Sequence, residues 1–169
     1  MSDGSPAGVL VVGIGNPDRG DDGAGPAVVD RLRSRLPEGV RVLECSGDVL
    51  DLIDQWTGFA TTLIVDATAP GGRAGRIRRL DLVSQPLSAD FSRNSTHAFG
   101  LAETVELART LDRLPGQLIA YLIEGERFAI GAPLSPAVAA AVDRAAERIL
   151  AELSRMSAAA QPRGDDGYA

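Results

Sequence analysis

Short unbroken apolar runs alternate along this chain with stretches whose apolar residues recur every third or fourth position, which is the pattern of buried strands and amphipathic helices in turn. Val9 to Ile14 (VLVVGI) is the first such run, rich in β-branched residues, and reads as a strand buried on both faces of a parallel sheet. After the loop GNPDRGDD, the stretch Gly25 to Leu36 places Val28, Val29, Leu32 and Leu36 on one face and arginines on the other, which predicts a helix. Val40 to Cys45 (VRVLEC) alternates like a strand, and Asp48 is placed to cap a helix running through Leu50, Leu52, Ile53 and Trp56 to Gly58. Thr61 to Ala67 (TTLIVDA) is a third buried strand that ends in Asp66, and Gly75 to Val83 (GRIRRLDLV) alternates with arginines outward, as an edge strand does.

Ser84 to Thr96 is polar and broken by proline, after which His97 opens a helix with Leu101, Val105, Ala108 and Leu111 on one face. Gln117 to Ile123 (QLIAYLI) is the fifth strand. Ser135 offers a capping hydroxyl with Pro136 at the first helical position, and the last helix runs to about Leu153. The remaining residues, 155–169, are small, polar and unpatterned, so a disordered tail is expected after a single domain over residues 1–154. Strands alternating with helices predict a three-layer α/β/α fold around a mostly parallel five-stranded sheet, with the fourth strand the antiparallel exception. Ligands in such folds collect beyond the carboxyl ends of the strands. Asp22 follows the first strand and Asp66 ends the third, so both carboxylates fall on that edge.

Composition removes several alternatives. A chain of 169 residues with 44% hydrophobic composition can bury one sizeable core. No apolar run approaches the roughly 18 residues of a membrane span, and MSDGSPAG has neither the basic nor the apolar region of a secretion signal. A soluble cytoplasmic protein with no membrane partner is expected, monomeric by default. The net charge of −6, with basic residues dispersed along the chain, argues against a nucleic-acid partner. All 17 basic residues are arginine, which excludes Schiff-base chemistry, Ser-Lys dyads and a Walker lysine. The single Cys45 rules out an intrachain disulfide and a cysteine-pair zinc site, and reads as a small buried hydrophobe. One histidine, His97, is too few for a typical zinc site, so no tightly held metal is expected.

The turn Gly13-Ile14-Gly15-Asn16-Pro17 has the look of a dinucleotide fingerprint, but no third glycine opens the helix at the right spacing. Pro17 removes a donor, and Asp18, Asp21 and Asp22 would repel phosphate. The pair Asp21-Asp22 could simply complement a helix N-terminus. Asp66 is harder to explain that way, because a carboxylate at the end of an apolar strand is costly to desolvate without a partner or ligand. Asp22, Asp66 and His97 each lie at the end of a predicted element, and together make a hard-to-borderline donor set with open positions, suited to a weakly held divalent ion.

The run GIGNPDRGDDGAGPAVV resembles the N-terminal signature of the hydrogenase maturation endopeptidases, in which Gly-x-Gly-Asn is followed by Asp-Asp-Gly or Asp-Glu-Gly. IVDA at Ile64 to Ala67, STHAFGL at Ser95 to Leu101 and LSPAV at Leu134 to Val138 extend the likeness, so that it covers residues 8 to 153. The resemblance implies an α/β/α endopeptidase that removes a C-terminal extension from the nickel-loaded precursor of a nickel-iron hydrogenase large subunit. It places the metal-contacting and catalytic residues on Asp22, Asp66 and His97, with the nickel supplied by the substrate. Gly15, Asn16 and Asp21 in the first loop, and Gly47 and Asp48 after the second strand, become the expected substrate contacts. Two departures stand out: aspartate replaces the frequent glutamate at position 22, and Glu44-Cys45-Ser46-Gly47-Asp48 replaces the Gly-Gly-Thr stretch of many members. Alternative readings are a non-cleaving, metal-sensing chaperone of the same precursor, and a peptidyl-tRNA hydrolase, whose Gly-x-Gly-Asn-Pro turn is similar but whose early histidine and basic surface are missing.

Overall fold

Three consecutive-looking apolar runs become the middle of the sheet, because each buries both faces. Leu10 to Ile14, Thr61 to Ala67 and Leu118 to Ile123 are buried almost without interruption. The computed structural model describes residues 7–46, 48–85 and 100–160. In chain order the elements are β1 (Val9–Ile14), a short 3₁₀ turn (Gly20–Gly23), α1 (Ala24–Leu32), β2 (Val40–Cys45), α2 (Asp51–Trp56), β3 (Thr61–Thr68), β4 (Ile77–Asp81), α3 (Leu101–Thr110), β5 (Gln117–Glu124) and α4 (Pro136–Ala160).

The sheet has five strands in the order β2-β1-β3-β5-β4. β1 pairs parallel with both β2 and β3, β3 pairs parallel with β5, and β4 closes the edge antiparallel to β5. This is the mostly parallel arrangement expected from the sequence, with the arginine-alternating strand as its antiparallel edge. Strand side chains alternate between two cores. Leu10, Val12, Ile14, Ile64, Leu118 and Leu122 pack with α2 and α3, whereas Val11, Leu63, Val65, Ile119 and Ile123 pack with α1 and α4. The third layer is thus present on each face.

Element boundaries move where local chemistry overrides periodicity. The first helix stops at Leu32 rather than Leu36, since the chain turns through Arg33 to Arg35 ahead of Pro37. The helix expected to open at His97 begins at Leu101, with Gly100 as its N-cap. The last helix continues to Ala160, seven residues past Leu153. Its final stretch, SRMSAAA, is rich in small side chains that carry helix propensity without apolar periodicity, and Met156 still packs on the α1 side of the core. Among the described residues no helix is long and apolar enough to cross a membrane.

A buried polar cluster ties α4 to the sheet edge. The Tyr121 hydroxyl donates to Glu152, and Arg79 Nε donates to Glu152 Oε2 at 3.1 Å, closing a link from β5 through α4 to β4. Burial raises the Glu152 carboxyl, but the Arg79 and Tyr121 hydrogen bonds outweigh it and hold the group below its ordinary value.

Candidate functional site

β1 sends its connection to β2 on one side while β3 lies on the other, so the crevice between the carboxyl ends of β1 and β3 is the topological switch point of the sheet. Asp22 reaches it from the 3₁₀ turn that follows β1, and Asp66 from the last turns of β3, one residue past the final Gly13–Val65 pair. Both side chains are nearly dry, with Asp22 2% and Asp66 4% exposed.

Position 15 decides how closely the Asp22 turn approaches β1. Gly15 has φ +138°, and a Cβ there would sit 1.9 Å from the Asp22 carbonyl oxygen. Only glycine lets the chain fold back so tightly. The Asn16 amide then donates to Asp22 Oδ2 at 2.8 Å, and Asn16 Oδ1 accepts the Asp18 amide at 2.9 Å in an Asx turn. The Gly15 amide donates to the Cys45 carbonyl at 2.9 Å, which joins this loop to the end of β2. Gly15 and Asn16 therefore shape and hold Asp22 through the backbone.

Asp66 shares its sheet face with Ile64 and Thr62, the face covered by α2 and α3. Its Oδ1 accepts the Ala67 amide at 2.8 Å. α3 leads to the same place. Its C-terminal end lies at the amino edge of the sheet, where the Arg109 guanidinium donates to the Leu82 carbonyl at 2.8 Å and the Leu82 amide donates to Leu118. Ten residues of α3, at about 1.5 Å each, carry its start roughly 15 Å back up. α3 thus runs back toward the carboxyl edge of the sheet, where Leu101 packs in one core with Leu122, the residue paired with Asp66. His97 and Gly47 lie outside the described residues. Among the described residues no three His, Cys, Asp or Glu side chains gather as a ligand set.

Asp21 behaves differently from its neighbour. It is fully buried, and its carboxylate accepts four hydrogen bonds from the segment after β5: the Glu126 and Arg127 amides at 2.8 and 2.9 Å, and the Ser135 amide and hydroxyl at 2.7 and 2.9 Å. Burial pushes the carboxyl up, but the hydrogen bonds from Arg127, Ser135 and Glu126 outweigh it and hold the group below the usual carboxylate range. Asp21, fully buried, is a staple between two loops. The Ser135 hydroxyl donates to Asp21, and Pro136 opens α4 as the sequence predicts. Neither Asp21 nor Asp22 caps α1, whose N-cap is Gly23 without a side-chain bond.

The sequence profile of the hydrogenase maturation protease family (HycI) matches residues 26–152. The chain belongs to this family. It is 31% identical to a hydrogenase maturation protease homologue of Methanocaldococcus jannaschii, over 87% of this chain and 97% of that protein. It is 27% identical to the hydrogenase 2 maturation protease of Escherichia coli, over 92% and 96% of the two chains. Among solved structures, the hydrogenase maturating endopeptidase HybD from E. coli superposes with a TM-score of 0.75 at 25% identity, covering 88% of this chain and 93% of that one. Membership in the maturation proteases sets aside the peptidyl-tRNA hydrolase reading.

In this family member the β2 end forms the flank of the site. Asp48 is exposed, and its carbonyl accepts from the Cys45 thiol at 3.7 Å. Its Oδ1 accepts the Leu50 amide at 2.9 Å in an Asx turn just ahead of α2, whose N-cap is Leu50 without a side-chain bond, so the capping role expected of Asp48 is corrected. Cys45 is only half-buried, so the fully buried hydrophobe expected there is corrected to a residue at the rim of the core. Sequence reasoning missed a second staple, Glu124 at the end of β5, whose Oε1 accepts the Gly71 and Arg73 amides at 2.7 Å each and fixes the loop after β3. Nothing local in the sequence marks either staple, because the partners lie far along the chain.

Proposed function

We propose that this maturation protease removes a C-terminal extension from the nickel-loaded precursor of a [NiFe] hydrogenase large subunit. The observation that carries the reading is the convergence of two nearly dry carboxylates, Asp22 and Asp66, on the switch point of a chain of this family. Two carboxylates at one strand edge are hard-to-borderline donors, the kind of set that a divalent cation delivered by the substrate would meet.

In this reading the nickel belongs to the substrate, and Asp22, Asp66 and His97 approach it as the precursor docks across the carboxyl edge of the sheet. Two carboxylates and one imidazole leave coordination positions open for the substrate's own ligands, so recognition depends on the metal being present. Water is the nucleophile, the nickel polarises the scissile carbonyl or the water, and a carboxylate of the pair accepts the proton. Gly15 and Asn16 hold Asp22 in register, and the Gly47-Asp48 flank meets the substrate beside it.

The test is intact mass spectrometry of nickel-loaded precursor incubated with wild-type protein and with Asp66→Asn. Loss of a short C-terminal peptide with the wild type, and at least a hundredfold slower loss with the variant, is the expected result. An unchanged mass in a stable complex would make the protein a metal-sensing chaperone, and wild-type cleavage by Asp66→Asn would remove that residue from the site.

A further inference from the structure

The segment after β5 is built more firmly than a surface connection requires. Asp21 holds its two ends, at Glu126–Arg127 and at Ser135, and the backbone adds three further bonds to the loop that carries Asp22. The Asp21 amide donates to the Arg127 carbonyl at 2.8 Å, the Gly20 amide to Ala132 at 3.1 Å, and the Gly131 amide to Asp18 at 2.7 Å. Phe128, half-buried, roots the segment against the α1 side of the core. What the frame displays is a tight turn in which the Ala132 amide donates to the Ala129 carbonyl at 3.1 Å, with Gly131 at φ +80° in the third position. That is the geometry of a type II turn, which puts Ile130 at its second position.

Ile130 is 85% exposed, against 37% for Leu107 and 52% for Leu111, the other exposed large hydrophobics among the described residues. Proline or a small polar residue suits the second position of such a turn, and a β-branched apolar side chain gains nothing there from the fold. A single exposed hydrophobe usually needs no explanation. This one stands at the apex of a loop fixed by a buried carboxylate and hydrogen-bonded, through Gly131 and Asp18, to the loop that positions Asp22.

We propose that Ile130 is a docking residue for the precursor: an apolar side chain of the segment flanking the scissile bond packs against it and sets the register of that segment over Asp22 and Asp66. The proposal rests on the precursor-processing reading above. Rigidity serves it directly, because a fixed apex loses little conformational freedom when the partner arrives.

Steady-state processing of nickel-loaded precursor by wild type, Ile130→Asp and Ile130→Leu tests it. The aspartate variant should raise KM about tenfold or more, equivalent to roughly 1.4 kcal/mol of binding, with kcat within about twofold. The leucine variant should match wild type, and both should melt with the wild type because the side chain is exposed. A wild-type KM for Ile130→Asp, or a loss confined to kcat, would overturn the proposal while leaving the endopeptidase reading intact. Should the wild type fail to shorten the precursor, the endopeptidase reading falls, and the docking residue is read from the Kd of the same precursor. A tenfold weaker Kd for Ile130→Asp supports it, whereas equal affinities, or no binding by wild type, overturn it.

Discussion

Replacing Asp21 by alanine should be strongly destabilising, and a lower bound on the size follows from the three amides its carboxylate accepts. Ser135 is fully buried, so its amide has no route to water and is left unsatisfied at about 1–3 kcal/mol. Glu126 and Arg127 are exposed, so their amides recover water and each loses only the net worth of a bond, about 1 kcal/mol. The sum is about 3–5 kcal/mol, a large part of the roughly 5–15 kcal/mol that holds a domain together. At about 2–4 °C per kcal/mol for a chain of this size, Asp21→Ala should melt on the order of 10 °C below wild type. Asp21→Asn keeps one acceptor and presents an NH₂ to a donor, so about 1–3 kcal/mol is expected. Urea unfolding followed through the single, buried Trp56 gives both values. The pH dependence carries its own sign. The folded carboxyl lies below the ordinary value of 3.8, so its contribution is fully present above that value and is lost as pH falls through the folded pKa. The gap between wild type and Asp21→Asn should therefore be constant near neutrality and narrow in acid below about pH 4. An Asp21→Ala protein within about 0.5 kcal/mol of wild type at pH 7, below the usual cost of even one lost hydrogen bond, would refute the staple, as would a gap that widens on acidification.

Two further changes probe other parts of the structure. Gly15→Ala places a Cβ 1.9 Å from the Asp22 carbonyl oxygen at φ +138°, so the Asp22 turn must move away from β1. A loss of about 3 kcal/mol or more by urea unfolding is expected, with precursor processing abolished, and a melt within about 2 °C of wild type would contradict the close approach. In a Tyr168→Phe background the remaining phenol, Tyr121, should titrate at about 12 by ultraviolet absorbance, pushed up by burial and by the Glu152 carboxylate it donates to. A midpoint at the ordinary 10.0 would place that hydroxyl in water.

Much of the architecture is written locally. The runs VLVVGI, TTLIVDA and QLIAYLI carry no polar face, which a strand tolerates only when covered on both sides, and their order fixes where the helices must cross. Arg76, Arg78 and Arg79 marked β4 as an edge for the same reason in reverse. Placement of Asp22 and Asp66 on one edge needed only the ends of β1 and β3. The staples were not legible, because Asp21 reaches partners 105 to 114 residues away and its acidic pair looks like a helix cap from its neighbours alone. The last turns of α4 were hidden by alanine, whose helix propensity leaves no periodic trace.

Asp21 and Asp22 are adjacent and acidic, yet the fold gives them separate work, and the 3₁₀ turn explains how. With about three residues per turn, successive side chains diverge by roughly 120°, so one carboxylate can enter the protein while the next faces the strand ends. Asp21 turns toward the segment after β5 and closes it. Asp22 turns toward Gly15 and Asn16 at the switch point. A helix would have spaced them by about 100° and set both on its first turn, where each would spend charge on free amides. The two share one short turn, so the loop bearing Ile130 is tied to the loop bearing Asp22 by a buried carboxylate and by backbone hydrogen bonds. A substrate segment that grips the first is thereby registered against the second, which is what cleavage at one bond requires.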